Sequence, residues 1–141
     1  MDSSWVTGIL KAAKRRDEDE QYEFLALVDE AFGNCTLDAI RVLMKTFTDD
    51  PDYGTQERVV SALATADDAV VTQAILEELP RLVKDAPEWA ESLIGAEVDQ
   101  RPRLLEKVAS SMSPTILQSL RSILSREGFR KFYPGAGDIA I

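Results

Sequence analysis

The chain contains no histidine. That removes the commonest general base near neutral pH and the commonest ligand for transition metals. Its single cysteine, Cys35, sits in GNCTLDAI. No disulfide can therefore form within the chain, and no CxxC motif exists. A helix N-terminus can stabilise a thiolate, but a small, half-buried residue is the plainer expectation for Cys35. No run of about 18 or more apolar residues occurs, so no membrane span is expected. The first residues, MDSSWVTGILKAAKRRDEDE, lack the order of a signal peptide. The basic residues follow the apolar ones, and no small-residue cleavage site appears. A mature, cytoplasmic chain is expected. Period-two alternation is missing, as are Asn-Gly or Asp-Gly turns between β-branched runs, so no strand is predicted. GxSxG, Walker, GxGxxG and HExxH motifs are all absent.

What is present is an ordinary globular composition. The 141 residues are 45% hydrophobic and 29% charged, enough for one domain with a real core. The net charge of −9 is unevenly spread. Residues 1–48 carry six Lys/Arg against nine Asp/Glu, or −3. Residues 49–100 carry three against thirteen, or −10, and residues 101–141 carry seven against three, or +4. A field of this sign repels nucleic acid and attracts basic proteins. Direct nucleic-acid binding is not expected.

Helical periodicity runs almost throughout. Leu37, Ile40, Leu43, Met44 and Phe47 keep the i, i+3, i+4, i+7 spacing, as do Val59, Val60, Leu63 and Ala66. Further stripes are Val70, Val71, Ala74, Ile75 and Leu79, then Leu104, Leu105, Val108 and Met112, then Ile116, Leu117, Leu120, Ile123 and Leu124. The spacing predicts eight helices, over 4–16, 19–32, 36–47, 55–66, 68–84, 87–97, 102–111 and 114–127. The acidic run 17–20 suits the first turn of the second helix, and Gly33 suits its end. Thr36, Thr55, Asp67 or Asp68, Asp85 and Ser113 are the expected caps, the last two just ahead of Pro87 and Pro114. Pro80 should kink its helix or split off the last turn. Helix starts recur from 36 to 68 to 102 and from 55 to 87, a period in the low thirties. Helix pairs at that period point to a HEAT-like α-solenoid, with a compact orthogonal bundle as the alternative. The glycine- and proline-containing tail, 128–141, is expected to be non-helical, with Phe129, Phe132 and Tyr133 folding back on the last helices.

The stretch TFTDDPDYGTQERVVSAL at 46–63 sets three aspartates, a tyrosine and a glycine between two helices. A calcium loop is the first explanation to test. With Gly54 at the sixth position of an EF-hand loop, the ligand positions fall on Asp49, Pro51, Tyr53 and Val60, and one usable ligand survives. No metal or cofactor is therefore expected. A catalytic carboxylate pair needs burial to separate two pKa values, whereas Asp49, Asp50 and Asp52 lie in a polar, proline-containing loop. No catalytic residue is assigned, and no enzyme is expected. An interaction surface remains. Its candidate partner-binding residues are Asp49, Asp50, Asp52, Glu57, Asp67, Asp68, Glu77 and Glu78, with Tyr53 as an aromatic anchor. The plainer alternative makes Asp50-Pro51-Asp52 with Gly54 a turn and a helix cap.

The acidic loop DDPDYGTQERVVSAL, the kink ILEELPRLV and the helix start APEWAESL occur in that order. Across residues 36–125 this order resembles the all-helical, HEAT-like immunity proteins of bacterial polymorphic-toxin and contact-dependent inhibition systems, of the type called immunity protein 30. The resemblance implies a protein that binds and neutralises a secreted toxin domain encoded beside it. Such toxins are often basic nucleases, so a 1:1 complex covering the nucleic-acid surface is the expectation. A general helical scaffold without toxin-neutralising activity is the alternative function.

Overall fold

A computed structural model describes residues 2–50 and 54–141. Every regular element among them is helical, so the chain is all-α, as its periodicity predicts. The helices are α1 (Ser3–Ala12), α2 (Glu18–Ala31), α3 (Leu37–Met44), α4 (Thr55–Leu63) and α5 (Asp68–Asp85). They continue as α6 (Pro87–Gln100), α7 (Pro102–Ala109), α8 (Pro114–Leu124) and α9 (Glu127–Phe132), with a 3-10 helix at Pro134–Asp138. The chain forms two compact units, residues 1–71 and 72–141, and the division falls within α5.

In the first unit, α1 packs on α2 and α3, and α2 packs on α4. Trp5, Ile9, Phe24, Val28, Ile40, Leu43, Met44, Phe47 and Val59 are buried. Burying one such side chain stabilises the fold by roughly 1.5–3 kcal/mol. Trp5 is a core residue, and its indole N–H donates to the Leu27 carbonyl at 2.9 Å. The local chemistry sets the helix starts. Asp17 accepts from the Glu20 N–H at 2.9 Å, and Thr36 accepts from the Ala39 N–H at 3.2 Å. Each satisfies an amide that a helix start leaves without an internal partner. Gly33, at φ +77°, follows the C-cap of α2 as expected. Cys35 is half-buried and donates its thiol to the Ala31 carbonyl at 3.0 Å. Helix α1 ends four residues before the predicted Arg16. Arg15 turns into the left-handed region at φ +46°, and its guanidinium lies 5.2 Å from the Phe24 ring centroid.

In the second unit, α6 packs on α7 and on the 3-10 helix, and α8 packs on α9. Leu79, Leu82, Ile94, Leu105, Leu120, Ile123 and Phe129 are buried. The α7 stripe is only partly buried: Leu105 is in the core, while Leu104, Val108 and Met112 are half-buried. Trp89 is half-buried too.

Three sequence expectations need correction. Pro80 lies inside α5, which runs on past it to Asp85, so of the two expected effects the split of the last turn does not occur. One missing amide hydrogen bond is tolerated where both flanking leucines, Leu79 and Leu82, are buried. Asp85 does not cap α6, because α5 keeps it as its last residue and Ala86 takes the cap position without a side-chain hydrogen bond. The tail 128–141 is not free of helix. It forms α9 and the 3-10 helix, since a glycine in the first turn of a helix costs only about 1 kcal/mol and Pro134 stands at the N-terminal turn where proline fits. Phe129 is buried, the Tyr133 ring packs 4.9 Å from it centroid to centroid, and a Cβ on Gly95 of α6 would overlap the Tyr133 ring. The Ala140 N–H donates to Glu106 Oε2 at 2.6 Å, fastening the end of the segment to α7. That bond first, and Arg103 after it, holds the Glu106 carboxyl below its usual range. Phe132 departs from the expected fold-back and points to solvent.

Candidate functional site

The acidic loop begins where α3 ends. Phe47 is buried and Thr46 donates its hydroxyl to the Leu43 carbonyl at 2.6 Å, so the chain leaves the core in a fixed direction. Thr48 is then held from two sides. Its N–H donates to Gln56 Oε1 at 2.7 Å, and its hydroxyl accepts from Arg15 Nη2 at 3.1 Å. The Asp50 N–H donates to the same hydroxyl at 3.4 Å. Gln56, 1% exposed in the first turn of α4, also donates through Nε2 to the Asp50 carbonyl at 3.5 Å. A buried amide therefore ties residues 48–50 to the start of α4. Asp49 and Asp50 are exposed beyond this anchor, and Glu57 is exposed beside it.

Thr55 is not the cap expected from its hydroxyl. It is the buried first residue of α4, and Gly54 takes the cap position at φ +91°. That left-handed backbone is one a side-chain-bearing residue adopts only at a cost, so glycine is required there. Glu57 falls in the first helical turn, where the dipole favours a carboxylate. Asp52 and Tyr53 lie outside the described residues.

The other candidate acids have surroundings of their own. Asp67 and Asp68 are exposed, but they follow the far end of α4, whose nine residues span roughly 13 Å. The Asp67 carboxylate is engaged in capping, accepting from the Ala69 and Val70 N–H groups at 3.0 and 3.3 Å. Glu77 and Glu78 belong to the second unit and are half-buried. Glu78 pairs with Arg81 at 2.5 Å, and Glu77 accepts from Gln73 Nε2 at 3.3 Å. The acids brought together are thus Asp49, Asp50 and Glu57, around the Gln56 anchor. Among the described residues, no group of three or more Cys, Asp or Glu side chains is arranged to hold a metal ion. Among the described residues, no helix is long and apolar enough to cross a membrane.

Two charged clusters were not foreseen. The Glu97 side chain is buried and accepts from the Thr72 hydroxyl at 2.9 Å and from Arg101 Nη2 and Nε at 2.7 and 3.1 Å. Its signal was a carboxylate at position i+3 and i+4 from the apolar Ile94 and Leu93, with an arginine four residues on. Glu20 in the first unit receives the Arg16 guanidinium at 2.7 and 3.0 Å and the Arg16 N–H at 2.8 Å. Those bonds, the guanidinium's above all, bring its carboxyl from 4.5 down to about 2. Both clusters stand at helix ends, with the carboxylate buried in each.

No family model, curated protein or solved structure matches the chain.

Proposed function

We propose that the chain is an immunity protein that binds a basic toxin domain, most simply a nuclease, one to one in the cytoplasm and covers its nucleic-acid-binding or active-site surface. The observation that carries this reading is the −10 charge of residues 49–100, with Asp49, Asp50 and Glu57 exposed beside Gln56, which hydrogen-bonds the backbone at residues 48 and 50. Fixed acids lose little freedom on binding, and a concentrated negative field speeds encounter with a basic surface. Asp49, Asp50 and Glu57 form the contact, with Asp52 and Tyr53 added on sequence grounds and Asp68 at its margin. Its resemblance to the immunity protein 30 type supplies the partner class.

The test is co-expression of the tagged chain with the C-terminal domain encoded immediately upstream. A stable complex that cuts neither RNA nor DNA, with a free partner that does, supports the proposal. A harmless neighbour that forms no complex contradicts it.

The engagement of Asp67 in a cap and of Glu78 with Arg81 favours a second reading, in which much of the acidic charge serves the fold and the chain is a general helical scaffold. Such a scaffold would bind its partner without protecting a cell from any toxin.

A further inference from the structure

Among the described residues, two aromatic rings stand exposed: Tyr22 at 64% and Phe132 at 82%. Their surroundings carry opposite charge. Tyr22 lies on α2, one helical turn from Glu18 and Asp19, both exposed, and its hydroxyl donates to Glu18 Oε1 at 3.3 Å. Phe132 ends α9 and follows Arg130 and Lys131, both exposed. The residue one turn before Phe132 is Gly128, where an added Cβ would meet nothing within 4 Å, so no side chain shields the ring from that side.

Phe132 is exposed but not loose. The Tyr133 ring lies 5.7 Å from it and 4.9 Å from the buried Phe129 ring, centroid to centroid. Tyr133 is seated on Gly95, and Arg130 Nε donates to the Leu124 carbonyl at 2.7 Å. An aromatic ring held in place from the core outward costs little further ordering when it is covered. Aromatic residues are also enriched where protein surfaces meet.

We propose that the occupant of the Phe132 patch is the Tyr22 patch of a second copy of this chain. Ring would meet ring, and Lys131 and Arg130 would face Glu18 and Asp19. The charge pattern argues for this occupant: residues 101–141 carry +4, whereas α2 opens on the exposed Glu18 and Asp19. The contact joins two different patches, so it is heterologous, and the pair keeps one free patch of each kind. Two small patches bury less than a standard interface, so the association is weak and reversible. Neither patch includes Asp49, Asp50 or Glu57, so this proposal and the proposed function can fail independently.

Sedimentation equilibrium on the full chain tests it, over a concentration series at low ionic strength and again at about 1 M salt, where charges are screened beyond roughly 3 Å. The average mass is expected to rise with concentration at low salt and return to the monomer value at high salt. F132A and Y22A, each at an exposed position, should separately remain monomeric. Their equimolar mixture should reach the dimer and stop there, because only one intact pair of patches remains. A wild-type chain that is monomeric throughout overturns the proposal. So does association that survives either single change, that ignores salt, or that is absent from the mixture.

Discussion

At the scale of single residues, the most consequential side chains are polar groups placed where they have no freedom to be absent. Gln56 closes the acidic loop onto α4, and Gln56→Ala removes an amide whose loss leaves the Thr48 N–H unmatched. A cost of about 1–3 kcal/mol is expected in urea unfolding. Glu97 and Arg101 form a pair whose carboxylate is buried. Arg101→Met should cost about 3–5 kcal/mol by stranding that charge, and adding Glu97→Met should recover part of the loss, as a double-mutant cycle would show. Glu20 gives a pH effect of defined sign. Its carboxyl is depressed in the folded chain from 4.5 to about 2. Its contribution is therefore fully present above about pH 4.5 and is lost as pH falls towards 2. Wild type and Glu20→Gln, unfolded by urea at successive pH values, should differ most near neutrality and converge in acid. Gln56, Glu97 and Arg101 were not singled out in the sequence, and Glu20 only as one member of an acidic first turn. A glutamine in a first helical turn, or a glutamate inside an apolar stripe, signals a structural role only when its partners across the fold are known.

Elements were far more legible than residues. An apolar residue every three or four positions fixes which face a helix buries, and eight helices follow from that rule with their starts nearly in place. Thr36, Asp67 and Ser113 act as the caps their chemistry suggests. The errors fall where tertiary packing outweighs local preference. Glycine and proline in the tail mark it as non-helical, yet Phe129 gains a buried site that offsets the cost of a short helix. Nothing local shows that Gly95, in the middle of α6, is the seat of the distant Tyr133 ring. Gly95→Ala should drive its methyl into Tyr133, with a cost of about 1–3 kcal/mol. The same change in a Tyr133→Ala background should cost much less. Equal costs in the two backgrounds, measured by thermal or chemical unfolding, would mean that the ring does not rest there.

For the molecule as a whole, the sequence carries the uneven charge but not its arrangement. Nine acids and aromatics looked like one surface in the linear order. In the fold, Asp49, Asp50 and Glu57 share the Gln56 anchor, Asp67 and Asp68 lie past the other end of α4, and Glu77 and Glu78 belong to the second unit. Linear distance cannot tell an acid that caps a helix from one that waits for a partner, because both favour the same loop and helix-start positions. The proposed contact is accordingly smaller than the charge total suggests, and it is steered by salt-sensitive encounter. Its most direct test is a titration of the nucleic-acid cleavage by the upstream-encoded domain, with wild type and with the Asp49→Lys, Asp50→Lys, Asp52→Lys triple variant. Wild type should extinguish cleavage at one equivalent, and the folded triple variant should need a clear excess, the more so at low salt. Equal inhibition by the two proteins, or no inhibition by either, would contradict the acidic loop as the docking surface.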